Sequence, residues 1–180
     1  AQAMDLGLIT PESMIDTKGP LKWGKFLIRD FHDYGAEMTT SEVIVKSSNI
    51  GAARIAQQIG VERQQAFLRD LGLLDPVPLE IIAAGGSQPL LPHRWSELSA
   101  MTISYGHGLS VSPLHLATAY SIIANGGRQV RPTLLPHQGG PGGKRVMSRE
   151  TSAAARRMLR RVVTDGTASF GEVSGYAVGG

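Results

Sequence analysis

The chain contains no cysteine, which excludes disulfides, thiolate-bound zinc and a cysteine nucleophile. It has no apolar run near the roughly 20 residues that a membrane-spanning helix needs, and its first residues lack the charged and apolar stretches of a secretory signal. Excess charge is also small: 18 Lys and Arg against 15 Asp and Glu leave +3 over 180 residues. That surplus is too slight to imply nucleic acid as a partner. His93, His115 and His137 show no ligand spacing, so a metal is not expected, and no cofactor motif is present. What remains, 42% hydrophobic, fits one domain over residues 1–180 with a sizeable core. Both ends look cut: AQAMDLGLIT begins without a methionine, and GYAVGG stops after a strand-like stretch, as in a piece of a longer protein.

Helical patterning dominates what is there. Residues 21–31, LKWGKFLIRDF, place Gly24 and Lys25 between two short apolar runs and predict a tight hairpin. Thr39 and Glu42 form a capping-box pair ahead of a short helix that halts at Ser47, Ser48 and Asn49. Ile50, Ala53, Ile55, Ala56 and Ile59 then recur at helical spacing up to Gly60. A further helix over 61–71 turns Phe67, Leu68 and Leu71 inward, with Gly72 as its stop. Residues 73–93, rich in Pro and Gly, read as a long connection around the patch LEIIAA.

Helices are predicted again over 96–105, from Pro113 to Asn125 behind the cap Ser112, and over 149–164 behind Ser148. RQVRPTLLP reads as an edge strand broken by Pro132, with RVM as its partner, and residues 136–144 as a flexible linker. The tally is five or six helices against four or five short strands. Arg156, Arg157, Arg160 and Arg161 make a basic stripe that suits a solvated face. His32 beside Asp33 and Asp30 beside Arg29 are adjacent in what reads as strand, where neighbours face opposite ways, so a joint role is not expected.

The stretch VKSSNIG, residues 45–51, admits two readings. Ser48 or Asn49 before an apolar helix serves as an N-cap, its side-chain oxygen accepting a free backbone N–H. In a tight turn between helices, however, residues i and i+2 can project together, so that Ser47 and Asn49 share a cleft while Ser48 points inward. A hydroxyl can relay a proton and a carboxamide can grip a peptide group from both sides. Neither is a nucleophile without an activating base.

Three stretches in this order, KSSNIGAARIA, RWSELSAMTISYGHGLSVSPLHLATAYSIIANGG and GYAVGG, resemble the transpeptidase domain of class B penicillin-binding proteins, the septal cell-division enzymes in particular. Serine penicillin-recognising enzymes carry S-x-x-K, S-x-N and K-T-G, and Ser47-Ser48-Asn49 matches the second. Neither of the others occurs in the 180 residues. The resemblance therefore implies the interval between the first and third motifs: a mainly α fold with a few short β-hairpins, the helical portion of an α+β, β-lactamase-like domain with its central sheet largely missing. Partly uncovered apolar faces then imply marginal stability or self-association.

The function that follows is part of a peptidoglycan D,D-transpeptidase that cross-links stem peptides through an acyl-serine and is acylated by β-lactams, inactive in this chain alone. A non-catalytic penicillin-recognising sensor is the alternative. By residue match, Ser47 passes a proton to the leaving group and Asn49 holds the acyl side-chain amide, while Tyr105 and His107 line the cleft. Histidine departs from the family's usual aromatic residue there. A core role for Tyr105, its hydroxyl tied to backbone, and a surface-loop role for His107 stay open. The resemblance also implies the periplasmic face of an inner membrane, an anchoring helix outside this chain, and membrane proteins of the division machinery as partners.

Overall fold

The computed structural model describes residues 1–80, 88–136 and 142–180. Among them lie seven α-helices, four three-residue strands and one 3-10 turn. In order these are α1 (Gln2–Asp5), β1 (Met14–Asp16), β2 (Leu21–Trp23), β3 (Phe26–Ile28), β4 (Glu37–Thr39), α2 (Thr40–Val45), α3 (Asn49–Ile59), α4 (Val61–Asp70), α5 (Glu97–Ser104), α6 (Pro113–Ala124), α7 (Arg149–Thr164) and the 3-10 turn Ser169–Gly171. The fold is mainly α, as expected. No helix among the described residues is long and apolar enough to cross a membrane.

Local signals set most of the helix ends. Thr39 and Glu42 close the reciprocal capping box at α2, and Ser96, Ser112 and Ser148 each accept the N–H three residues on, which satisfies donors a helix leaves unpaired. Pro113 occupies the first turn of α6, where its missing N–H costs nothing. The hairpin β2–β3 forms around Gly24, whose φ of +55° suits a residue without Cβ. The antiparallel pair β1–β4, with Ile15 opposite Met38, was not read from the sequence.

Helix α3 joins two of the three apolar clusters. Its Ile50 and Ala53 pack with Leu21 and Ile28 of the hairpin and Met101 of α5. Its Ile55 and Ile59 lie against Ala3, Ile9, Ile15, Met38 and Val43. The third cluster gathers Leu71, Leu73 and Leu74 with Ala119, Ile122 and Met147. Each large aliphatic side chain buried in this way contributes about 1.5–3 kcal/mol. Phe67 and Leu68 lean on the third cluster as their spacing implied.

Three expectations are corrected. RQVRPTLLP forms no strand; a single β-bridge joins Arg128 to Arg145 of RVM, because Pro132 cannot extend the ladder. GYAVGG is not a strand either: the Gly180 N–H donates to the Leu159 carbonyl and Arg160 donates to that of Val178, so the segment lies along α7. Residues after Ile28 are loop rather than strand, so the alternation that separated Arg29 from Asp30 does not apply. Most of the 136–144 linker, with His137, and most of the LEIIAA patch lie outside the described residues. In the basic stripe, Arg160 pairs with Glu172 and Arg161 with Asp165, while Arg156 and Arg157 are exposed.

Candidate functional site

Helix α2 ends as a Schellman motif. The Ser47 N–H donates to the Ile44 carbonyl and the Ser48 N–H to that of Val43, at 3.2 and 2.9 Å. The residue between helix and exit must take left-handed backbone, a place usually filled by glycine. Here it is Ser47, at φ +59°, the one non-glycine with positive φ among the described residues. Left-handed backbone costs a residue with Cβ about 1–2 kcal/mol, so a serine there points to a use for its hydroxyl.

Ser48 is the N-cap of α3. Its hydroxyl accepts the Gly51 N–H at 2.9 Å and donates to Oδ2 of Asp30 at 2.7 Å, and the residue is only 1% exposed. Of the three polar residues of the turn, Ser48 is thus the cap, its hydroxyl taken up by the fold. Ser47 is exposed and its hydroxyl makes no hydrogen bond among the described residues. Asn49 opens α3, half-buried, with its Nδ2 donating to the Arg29 carbonyl at 2.9 Å.

Arg29 and Asp30, set aside as mere neighbours in sequence, thus meet at this turn. Asp30 Oδ1 also accepts the Ile50 N–H at 2.9 Å, and the Tyr34 hydroxyl donates to the Lys46 carbonyl at 3.1 Å. Their partners lie 12 to 20 residues away, beyond the reach of any helical or strand period. A cleft of about 260 Å³ opens along this segment, lined by Thr17, Pro20, Asp30, Phe31, His32 and Ile50 among others. Neither Ser47 nor Asn49 lines it, nor the cleft of about 270 Å³ between α3, α4 and α5.

Tyr105 ends α5 and packs on the cluster that holds Ile50 and Met101. Burial raises the pKa of its hydroxyl, which makes no hydrogen bond among the described residues. His107 is exposed, its ring 5.3 Å from that of Tyr105 and tilted by 56°. Gly106 and Gly108, at φ +96° and +88°, let the chain turn on both sides of it. No hydrogen bond among the described residues links either side chain to Ser47 or Asn49; Tyr105 packs on the cluster that also holds Ile50, the residue after Asn49.

The chain is thus helix-rich, with a short β-hairpin and a serine-serine-asparagine turn between α2 and α3. The model of the penicillin binding protein transpeptidase domain matches residues 1–180, and the chain belongs to that family. It is 36% identical, over its whole length, to a probable peptidoglycan D,D-transpeptidase FtsI of Caulobacter vibrioides, and 34% identical to penicillin-binding protein PbpB of Mycolicibacterium smegmatis. It spans 31% of each of those proteins. Among solved structures it resembles the apo transpeptidase domain of penicillin-binding protein 3 from Burkholderia pseudomallei, with a TM-score of 0.90 at 34% identity over 99% of this chain and 55% of that one. A peptidoglycan glycosyltransferase from Burkholderia ambifaria gives 0.91 at 32% identity, covering 99% of this chain and 58% of that one.

Proposed function

We propose that this chain is part of a peptidoglycan D,D-transpeptidase in which Ser47 and Asn49 serve the acylation of a serine supplied by an S-x-x-K motif elsewhere in the protein. The names of the relatives support the reaction class. One observation carries the residue assignment: Ser47 occupies a glycine-type backbone position, with its hydroxyl unengaged among the described residues.

In that reaction the nucleophilic serine attacks the carbonyl between two D-alanines. The acyl bond to serine forms, the peptide bond breaks, and the terminal D-alanine leaves as its nitrogen takes a proton. Ser47 bridges the motif lysine and the leaving nitrogen, a hydroxyl being able to accept one proton while giving another. Asn49 holds the amide of the acyl side chain. Tyr105 and His107 border the bound stem peptide, and burial raises the pKa of the Tyr105 hydroxyl. An amine from a second stem then resolves the acyl-enzyme, and β-lactams stop at the acyl stage.

The setting is septal wall synthesis at the periplasmic face of the inner membrane, with an N-terminal anchor and membrane partners of the division machinery. Without S-x-x-K or K-T-G, the chain by itself is inactive. Fluorescent penicillin tests this directly: the full-length protein should be labelled covalently and this chain alone should not. Ser47→Ala and Asn49→Ala in the full-length protein should each slow acylation by ~10²-fold or more with the fold intact. Wild-type rates in both would remove their assigned roles.

A further inference from the structure

Four hydrogen bonds from residues 29–34 hold the 46–50 stretch: Tyr34 hydroxyl to the Lys46 carbonyl, Ser48 hydroxyl to Asp30, Asn49 amide to the Arg29 carbonyl, and Ile50 N–H to Asp30. They grip every residue of the stretch except Ser47. Only Asp30 supplies two of them, and it does so with both carboxylate oxygens. Hydrogen bonds to an ionised carboxylate are the shorter and stronger kind, and the 2.7 Å contact to Ser48 is the shortest of the four.

We infer that Asp30 is a positioning residue: acting through Ser48 and Ile50, it fixes where the Ser47 hydroxyl and the Asn49 amide stand for acylation. The physical need is plain. Ser47 has left-handed backbone that its Cβ disfavours, so an unrestrained turn would relax and carry the hydroxyl away. Asp30 ties down the residue after Ser47 by its side chain and the residue after Asn49 by its backbone. Ser47 and Asn49 are thereby bracketed by fixed points that Asp30 makes without itself touching either. Because Ser48 is buried, its hydroxyl has no water to exchange for Asp30, and loss of the carboxylate leaves it and the Ile50 N–H without that acceptor.

The inference rests on the proposed acylation role of Ser47 and Asn49, and its test separates the two. In the full-length protein, single-turnover labelling by fluorescent penicillin gives an acylation rate constant and a prior binding constant. Asp30→Ala should lower the rate constant by ~10²-fold, the size of effect that a misplacement near 1 Å produces, while leaving the binding constant within about threefold. Asp30→Asn, which keeps one acceptor for the Ile50 N–H and can meet the Ser48 oxygen with its amide, should recover most of that loss. Tyr34→Phe, which deletes only the grip on Lys46, keeps the question open to measurement where Asp30→Ala folds poorly, and should slow acylation by about three- to tenfold on the same misplacement argument.

A purely structural Asp30 gives a different pattern: a smaller labelled fraction, with wild-type kinetics in the molecules that remain folded. That pattern, or wild-type kinetics in Asp30→Ala and Tyr34→Phe alike, overturns the inference and leaves the roles of Ser47 and Asn49 standing. A wild-type protein that penicillin does not label overturns both.

Discussion

Gly51 sits against Val43 with no room for a side chain: a Cβ on Gly51 would stand 2.5 and 2.8 Å from the two Val43 methyls and 3.2 Å from the Ser48 hydroxyl oxygen. The close approach packs the first turn of α3 onto α2 and thereby sets the angle at which the 47–49 turn is presented. Val43 is β-branched and 2% exposed, so it cannot rotate aside. Gly51→Ala should destabilise the protein by about 1–2 kcal/mol, since overpacking at 1–3 kcal/mol outweighs the helix-propensity gain of up to about 1 kcal/mol. Chemical denaturation reads the loss. Adding Val43→Ala should remove the clash part of it, and strict additivity of the two would contradict the account.

Ser47→Gly separates stability from function at a single position. Glycine accepts the φ of +59° freely, so relief of about 1–2 kcal/mol of backbone strain outweighs the 0.5–1 kcal/mol that glycine's extra unfolded-state freedom costs. The variant should be more stable by about 0.5 kcal/mol, in the usual direction of a stability–activity trade-off. Its full-length form should label with penicillin as poorly as Ser47→Ala. A destabilised Ser47→Gly would mean that the hydroxyl serves the fold instead.

Punctuation was the legible part of this sequence. Thr39 with Glu42, Ser112 with Pro113, and Ser148 declare helix starts within three residues of themselves, and each forms its cap. The pairing of β1 with β4 was hidden because three residues are too few to display alternation, and the two strands are separated by 20 residues. Asp30 was hidden for a related reason: its partners Ser48 and Ile50 lie 18 and 20 residues on, and no period links a loop to a helix start. GYAVGG misled because a strand exists only with a neighbour to pair with; here the segment meets the side of α7 instead. At the turn, an inward Ser48 between Ser47 and Asn49 was legible as one of two readings, and the buried Ser48 agrees with it. The left-handed φ of Ser47 was not legible, and neither Ser47 nor Asn49 lines the two clefts described.

The capping box before the turn makes the start of α2 sensitive to acid. Glu42 accepts from the backbone N–H of Thr39 at 2.8 Å and from its hydroxyl at 2.7 Å, and these bonds hold its carboxyl below the ordinary range. A carboxyl depressed in the folded state contributes stability in full above its unfolded pKa, about 4.3, and loses it as pH falls through the lower folded value. Glu42→Gln keeps an acceptor but gives up the charge. The stability gap between wild type and Glu42→Gln should be open at neutral pH, shrink below about pH 4.3, and close once the wild-type carboxyl is protonated. A gap that does not change with pH would show the carboxylate's charge to be irrelevant there.

Met101 joins the two halves of the candidate site from beneath. It is fully buried, 0% exposed, in the cluster that holds Ile50 and against which Tyr105 packs. Met101→Ala should cost about 2–5 kcal/mol, the transfer term plus the cavity left behind. Met101→Leu, which conserves volume, should cost less than about 1.5 kcal/mol. Ile50 directly follows Asn49 and donates its N–H to Asp30, so collapse of its packing partner shifts the Asn49 end of the turn and the Tyr105 ring together. In the full-length protein, Met101→Ala should therefore lower the acylation rate of the folded molecules as well as their number. Met101→Leu should leave that rate close to wild type. Equal folded-state rates in the two variants would show that this core supports the fold without aiming the turn.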